Sequence, residues 1–472
     1  MTDVLGRLRA MQSGDVPVTG GRTLAYVYDS GLAEADRIGR EAVAAYAGSN
    51  GLDPTAFPSL LTMENELVGL ACDLLDAPST AVGTLTSGGT ESVLLAVQTA
   101  RDSRPDLSAP TMVIPSTAHA AFHKAAHYFG VTPRVVPVGA DFRADPAGMT
   151  AAIDETTVLV VASAPSYAHG VVDPVTEIAA AASASGVRCH VDACIGGWVL
   201  PFAARLGRPV PRWSFAVDGV TSISVDLHKY GYTPKGASLL LHRTPELRRP
   251  QFFASADWPG YTMLNTTMQS TKSGGPLAGA WAVVNTIGVD GYLSLTRVVL
   301  EGVDRLVAGI ESIASLSLVA RPDSTLVAFT GDDSLDVFTL ADLMGASGWW
   351  VQPQLSYAGA APSIHLSVSA ATDVDAFLVA LEQAVAEAVV RGPIAIDPGV
   401  ADFVRTLSAE SLTEDDFDGL LAAVGMAGEG GVGVPDSMAE INALLDLAEP
   451  SLREALLTAF LDRLSRPTRH PG

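Results

Sequence analysis

The sequence predicts an α/β protein with a mainly parallel sheet in a large domain and a smaller α/β domain behind it. Three observations carry this. Short β-branched runs alternate with Ala-rich helical stretches between about residues 62 and 285, the pattern of strands separated by crossover helices. The pattern changes after about 285, where one long helix precedes three further strand candidates. The composition, 48% hydrophobic and 17% charged over 472 residues, supplies a core for more than one domain and excludes wholesale disorder.

In chain order, residues 1–60 read as an N-terminal arm. It carries a helical stretch near Gly31 to Ala47 and then the Gly/Pro-punctuated loop SNGLDPTAFPS. The large domain, 61–285, opens with an apolar helix over Glu64 to Leu75, a turn at SGGT and a helix over Glu91 to Arg101. Strands are expected at Met112 to Ile114, Arg134 to Val138, Val158 to Ala162, Cys189 to Val191, Ser222 to Val225 and Ser238 to Leu241. The small domain, 286–395, has a helix near Gly288 to Ser312, strands at Leu316 to Val319, Leu326 to Thr330 and Ser363 to Ser369, and a helix over Asp373 to Val390. The tail, 396–472, is acidic and helical, interrupted by GEGGVGVP, and is expected to be a helical cap or a subunit contact.

A net charge of -23 opposes phosphate backbones and anionic membrane surfaces, so neither nucleic acid nor membrane is expected as a partner. No apolar run reaches the roughly 18 to 20 residues of a membrane span, and the expected location is cytoplasmic. Three cysteines, Cys72, Cys189 and Cys194, lack both a disulfide framework and zinc spacing. The basic residues are 25 arginines and four lysines, Lys124, Lys229, Lys235 and Lys272. Codon bias explains the imbalance, yet any chemistry that needs a primary amine must use one of these four.

Three segments could meet at a site. Ser87, Gly88, Gly89 and Thr90 stand at a helix start, where free N–H groups suit a phosphate, although ordinary capping uses the same residues. His190-Val191-Asp192-Ala193-Cys194 delivers an acid at a strand end. Ser222 to Gly236 holds Lys229 and Lys235 on an aromatic-flanked turn, where desolvation would remove a lysine's charge and free an amine nucleophile. An amine, an acid and an anion cup are what a pyridoxal phosphate enzyme requires. His119, His123 and His127 lie four apart on one helix face, but no carboxylate stands with them and no metal is expected.

TLTSGGTES, TAHAAFHKAAHYFG, HVDACIGGW and SISVDLHKYGYTPKG, in this order, resemble the pyridoxal-phosphate lyases of the sphingosine-1-phosphate lyase family, which stand with the group II amino-acid decarboxylases. The likeness covers about residues 20–390. It implies the aspartate-aminotransferase-like fold (fold type I) with pyridoxal 5'-phosphate as cofactor. Lys229 would bind the cofactor, Asp192 would pair with its pyridine nitrogen and His119 would stack on its ring. His228, Ser87, Gly88, Gly89 and Thr90 would hold the phosphate; Ser163 and His169, on the loop that the resemblance puts beside the cofactor, are second-rank site candidates. The resemblance also implies a homodimer with active sites at the subunit interface, the loop from Phe252 to Gly275 reaching the neighbour with Tyr261, Thr271 and Lys272.

For the small amino substrate, Asn50, Asp53, Tyr232, Lys235 and Tyr261 are the candidates. Family members acting on long-chain phosphates carry Ser-Asn-Pro-Leu-His in the arm, where this chain has Ser49-Asn50-Gly51-Leu52-Asp53. An anion in place of histidine disfavours a phosphate. The expectation therefore leans to decarboxylation of an amino acid, with retro-aldol cleavage to an aldehyde and a shorter amine as the alternative. A non-catalytic scaffold would have no use for the lysine, acid and phosphate cup together.

Overall fold

The computed structural model describes residues 3–423, 427–428, 431–432, 437–465 and 467. Seven strands form the main sheet: β1 (Val82–Thr86), β2 (Thr111–Pro115), β3 (Thr132–Val136), β4 (Thr157–Ser163), β5 (Arg188–Asp192), β6 (Val220–Val225) and β7 (Ser238–His242). Their spatial order is β1-β7-β6-β5-β4-β2-β3. β3, β2, β4, β5 and β6 pair in parallel, while β7 runs antiparallel to both β6 and β1. β2 and β4 are buried along their whole length, as strands covered on both faces must be.

Six of the seven strands fall where the β-branched runs place them. β1 does not: VGTLT is short and has a glycine inside, so the sequence shows only the turn that follows. The glycine is required by packing, since a Cβ on Gly83 would lie 2.5 Å from Leu241 Cδ2.

The helices Gly89–Asp102 and Ala121–Phe129 lie against this sheet and bury Val93, Val97, Phe122 and Ala125 with Met112, Ile114, Leu159 and Val161. Phe122 is fully buried, which contributes roughly 2 to 3 kcal/mol.

The sheet register decides what is brought together. Ser163 is level with Asp192, and Asp192 with Ser224, so the carboxyl ends of β4, β5 and β6 end side by side. Ligands of open α/β sheets bind at such ends.

A second sheet of four strands runs in the order Leu316–Leu318, Leu326–Gly331, Ser363–Ser367, Gln352–Gln354. Its polar edge strand, with Pro353 at its centre, carries no strand signal in the sequence. The long helix extends from Gly274 to Ser312 and is broken at Gly288, whose φ of 62° ends one helix and starts the next. By contact density the chain divides into Met1–Val307 with Ala320–Ala328 and Ser367–Asp373, and Ala308–Val319 with Phe329–Leu366 and Val374–Gly472. The second unit includes the helices Pro398–Thr406, Glu414–Ala423, Ala439–Leu447 and Pro450–Leu464. Most of GEGGVGVP lies outside the described residues. Among the described residues no helix is long and apolar enough to cross a membrane.

Buried histidines make the fold acid-sensitive. His190 on β5 and His242 on β7 are inside the sheet, and burial pulls them down to about 4 and about 3, in His190 against the opposing pull of Asp192. Burial against Phe142 likewise lowers His169 to about 4. Unfolded, each titrates near 6.5, so below that pH the unfolded chain binds protons that the folded chain refuses. Stability present above about 6.5 is lost as pH falls toward 4. Asp173 opposes with a single proton, because burial raises its carboxyl to about 6. Urea unfolding should therefore show stability falling from pH 7 to pH 5 by roughly 1.4 to 2.7 kcal/mol per pH unit. A flat profile would contradict the burial of these rings.

Candidate active site

A cavity of about 400 Å³ opens at the carboxyl ends of β4, β5 and β6. Ser87, Gly88, Gly89, Thr90, His119, Ser163, Asp192, His228 and Lys229 all line it, with Glu91, Tyr167, Cys194 and Asp226. Every cofactor-site residue expected from sequence is thus placed on one wall or another of a single cavity.

Lys229 Nζ lies 2.9 Å from Asp226 Oδ2, and the Asp226 side chain is 2% exposed. Burial disfavours the ammonium and is the largest single influence, but the Asp226 carboxylate, Tyr28 and Cys194 together outweigh it and hold the Lys229 pKa well above its usual value. Burial also works against the Asp226 carboxylate, and Lys229 with His228 more than offsets it. The expectation that desolvation would strip Lys229 of its charge is therefore reversed. The amine is kept protonated by a carboxylate three residues upstream, which the sequence reading did not single out.

Asp192 ends β5 with Oδ1 accepting from Cys194 N at 3.1 Å and from Ser224 Oγ at 3.4 Å. Cys194 Sγ donates to the same Ser224 Oγ at 3.4 Å, and His190 Nε2 stands 3.3 Å from it. The acid is therefore oriented by the neighbouring strand. At the mouth, His119 Nδ1 accepts from Ala121 N at 3.1 Å, which leaves the ring proton on Nε2. The ring meets Tyr167 edge to face at 6.2 Å.

The anion cup is built on glycines for a steric reason. A Cβ on Gly89 would stand 2.7 Å from Asp226 Oδ2 and 2.8 Å from Cys194 Sγ. Below it a chain of buried hydroxyls, Thr86 to Ser92 at 2.7 Å, Ser92 to Ser238 at 3.0 Å and Ser238 to the Val225 carbonyl at 3.0 Å, fastens the cup to β7 and β6. Glu91 is buried in the first turn. Its carboxylate accepts from Ser87 N at 2.6 Å and from Met268 N at 2.9 Å, so it ties the cup to the loop that follows the hairpin Phe253–Ser255/Met263–Asn265. Ser87 therefore has only its hydroxyl left for a ligand.

The substrate candidates are placed elsewhere. None of Asn50, Asp53, Tyr232, Lys235 and Tyr261 lines this cavity. Asn50 bridges to Ser273, and Asp53 is exposed with its carboxylate engaged by the N–H and hydroxyl of Thr55 at 2.8 and 2.6 Å. Tyr261 is an exposed hairpin residue, and Tyr232 packs its ring against Tyr230. Lys235 donates to the Tyr26 carbonyl at 2.7 Å and sits 5.0 Å over the Tyr28 ring. His169 stacks on Phe142 at 4.2 Å instead of entering the cavity, and Lys272 is paired with Glu64 at 2.7 Å. The sequence reading missed Glu91, Asp226, Ser224 and Tyr28. Asp226 and Ser224 lie in the same run as Lys229 and Glu91 in the SGGTES segment, whereas Tyr28 lies in none of the motifs.

The family model for the pyridoxal-dependent decarboxylase conserved domain matches residues 34–331. A second model, for a C-terminal helix-turn-helix-type domain of pyridoxal-dependent enzymes, matches 398–463. A sphingosine-1-phosphate lyase of Oryza sativa subsp. japonica is 41% identical over 317 residues, 66% of this chain and 59% of that protein. One from Arabidopsis thaliana is 40% identical over 371 residues, 76% of this chain and 67% of that protein. The chain thus spans about three-fifths to two-thirds of these relatives. The solved sphingosine-1-phosphate lyase of Burkholderia pseudomallei K96243 superposes with a TM-score of 0.77 at 32% identity, covering 82% of this chain and 91% of that one.

Pyridoxal phosphate fits the cavity by three independent observations. Ser163 Oγ and His228 Nδ1 are buried in its lining with no hydrogen-bond partner among the described residues. The cup is closed to any side chain at Gly89. Asp192 and Lys229 supply an acid and an amine in the lining of the same cavity.

Glu91 can be tested as the strut of the cup. Glu91→Gln keeps one acceptor and turns an amide N–H₂ toward the second backbone N–H. The lost hydrogen bond and buried donor conflict cost roughly 1 to 3 kcal/mol. Titration of the apoprotein with pyridoxal phosphate should show affinity weakened by about tenfold or more. Unchanged affinity would reduce Glu91 to ordinary capping.

Proposed function

Because the chain belongs to the pyridoxal-dependent decarboxylase family, we propose that it is a carbon–carbon lyase that cleaves the Cα–Cβ bond of a β-hydroxy amine, of the class to which sphingosine 1-phosphate belongs, into an aldehyde and a shorter amine. The observation that carries the choice is the run of sphingosine-1-phosphate lyases at 35 to 41% identity among its relatives. The lean toward decarboxylation rested on Asp53. That carboxylate is spent on Thr55 outside the Lys229 cavity, so it no longer weighs against a phosphorylated substrate.

Bound pyridoxal phosphate supplies an electron sink for the pair released when a bond to Cα breaks. The chain's own residues do the rest. Lys229 would hold the cofactor through its amine. Asp192, fixed by Cys194 N and Ser224, would face the pyridine nitrogen. The N–H groups at the start of Gly89–Asp102, with His228 and the Ser87 hydroxyl, bind the phosphate. His119, at the cavity mouth, would border the ring face. Tyr167, whose phenol burial keeps protonated, lines the cavity and can donate a hydrogen bond to a substrate oxygen.

The proposal includes a homodimer. The hairpin Phe253–Ser255/Met263–Asn265 shows Phe253, Trp258, Tyr261 and Leu264 at 58, 41, 55 and 58% exposure, an apolar surface suited to a second copy.

The holoenzyme should be incubated with amino acids, β-hydroxy amino acids and phosphorylated amino alcohols, with products followed by mass spectrometry and carbon-dioxide detection. Aldehyde without carbon dioxide is expected from a phosphorylated amino alcohol. Carbon dioxide with an amine product would establish the decarboxylase instead. Lys229→Ala should abolish turnover and the visible absorbance of lysine-bound cofactor in either case.

A further inference from the structure

The loop that brings Ser163, Pro165 and Tyr167 to the Lys229 cavity is closed at its base by one buried carboxylate. Ser163 ends β4, and the chain returns at Asp173 before it enters the helix Val175–Ala184. Ala164 N donates to the Asp192 carbonyl at 2.8 Å, so Ala164 faces β5. Successive residues of a strand turn their backbone groups to opposite sides, which points the N–H and C=O of Ser163 toward β2, whose paired register with β4 ends at Val113 and Val160. Asp173 takes both groups. Ser163 N donates to Asp173 Oδ2 at 2.7 Å, and Asp173 N donates to the Ser163 carbonyl at 3.0 Å.

The returning arm is fixed from outside the loop as well. Asp173 is fully buried, and its Oδ1 accepts from Ala144 N at 2.8 Å. Val172 N donates to Asp323 Oδ2 at 2.8 Å. Arg143 Nη1 donates to the Val172 carbonyl and to the same Asp323 oxygen, each at 2.6 Å. An aspartate just ahead of a helix ordinarily caps it, yet Val175–Ala184 follows Pro174 with no side-chain cap, and the Asp173 carboxylate goes to two other elements. A buried carboxylate is costly to keep, and this one grips the residue that faces the cofactor cavity.

We propose that Asp173 is a positioning residue of the cofactor site: by holding both backbone groups of Ser163 it sets the direction of the Ser163 hydroxyl. That Oγ is buried in the cavity lining with no hydrogen-bond partner among the described residues, so it is kept for the occupant. A contact of this kind is only as exact as the groups that lock its backbone and rotamer. The inference rests on pyridoxal phosphate as the occupant and is independent of which bond of the substrate breaks.

The test follows the visible absorbance of lysine-bound cofactor as full-length holoenzyme is diluted, which gives the dissociation constant of pyridoxal phosphate. Asp173→Asn keeps the size of the side chain but turns an N–H₂ toward a backbone donor, and should weaken binding roughly tenfold or more. In a Ser163→Ala chain the same change should cost less than about twofold, because the hydroxyl it positions is gone. Asp145→Ala is the control for lost stability alone. Asp145 also accepts from two backbone N–H groups, those of Ala147 and Gly148, but outside the cavity, so binding should stay at the wild-type value. If Asp173→Asn does not fold, Asp323→Ala, which releases the adjacent Val172 N, should weaken binding about threefold or more, with the same dependence on Ser163. Wild-type affinity in the Asp173 or Asp323 variant would overturn the proposal. So would an equal loss in the Ser163→Ala chain or in Asp145→Ala. A wild-type chain that binds no pyridoxal phosphate would overturn the cofactor reading and the proposal with it.

Discussion

The Lys229–Asp226 pair is the interaction on which the rest of the site depends. Removing one member of such a buried pair leaves an uncompensated charge, typically a cost of about 3 to 5 kcal/mol, so the surroundings must hold both. They do so through the sheet. Asp226 follows directly on β6, which is clamped between β5 and β7. Because its carboxylate and the Cys194 thiol fill the space above the cup, position 89 has to be glycine. Asp192, level with Ser224 on β6, is oriented through that same strand. Lys229, Asp192 and the glycine cup are thus coupled by register as well as by proximity.

The same coupling explains what could be read from sequence. Strand ends that deliver chemistry are short and apolar, so β4, β5 and β6 were legible, and so were Ser163, Asp192 and Lys229 at their ends. Scarcity of lysine and the aromatic-flanked turn narrowed the amine to Lys229 and Lys235, and the family resemblance chose Lys229; each of the other three lysines also has a specific partner: Lys272 with Glu64, Lys235 with the Tyr26 carbonyl and Lys124 over the Tyr128 ring at 5.5 Å. Glu91 was not legible, because its role lies in two backbone N–H groups, one of them 177 residues away. Nor was Tyr28, which meets Tyr230 edge to face at 5.0 Å across 202 positions of sequence. Asp53 failed for the opposite reason: a motif position suggested a ligand, while local Asx-turn chemistry with Thr55 consumes the carboxylate.

The charge of Lys229 depends on what faces it. With Asp226 alone as counterion the ammonium is favoured, so a free amine, the form that can attack a carbonyl, requires Asp226 to be shared. His228 Nε2 stands 3.8 Å from the same Asp226 oxygen that pairs with Lys229. As Lys229 gives up its proton, His228 becomes the alternative partner for that carboxylate. Its own burial disfavours the imidazolium, which keeps the preference with Lys229 until the amine is consumed.

A chain of net charge -23 holding an anionic phosphate looks contradictory only if charge is averaged over the whole molecule. Exposed charges more than about 8 Å away are screened at physiological ionic strength, whereas groups inside the cavity are not. Locally the balance differs: a helix N-terminus contributes about half a positive charge. Asp226 is neutralised by Lys229, and Glu91 accepts two backbone donors, which spreads its charge. Discharging Lys229 would uncover Asp226, so the phosphate is best placed where the helix dipole and His228 act on it together. Gly88 is that place, since a Cβ there would lie 3.4 Å from the His228 ring and stand at the N-cap of Gly89–Asp102. The acidic exterior then works in the protein's favour, keeping polyanions away from a cup that is shaped to take one small anion.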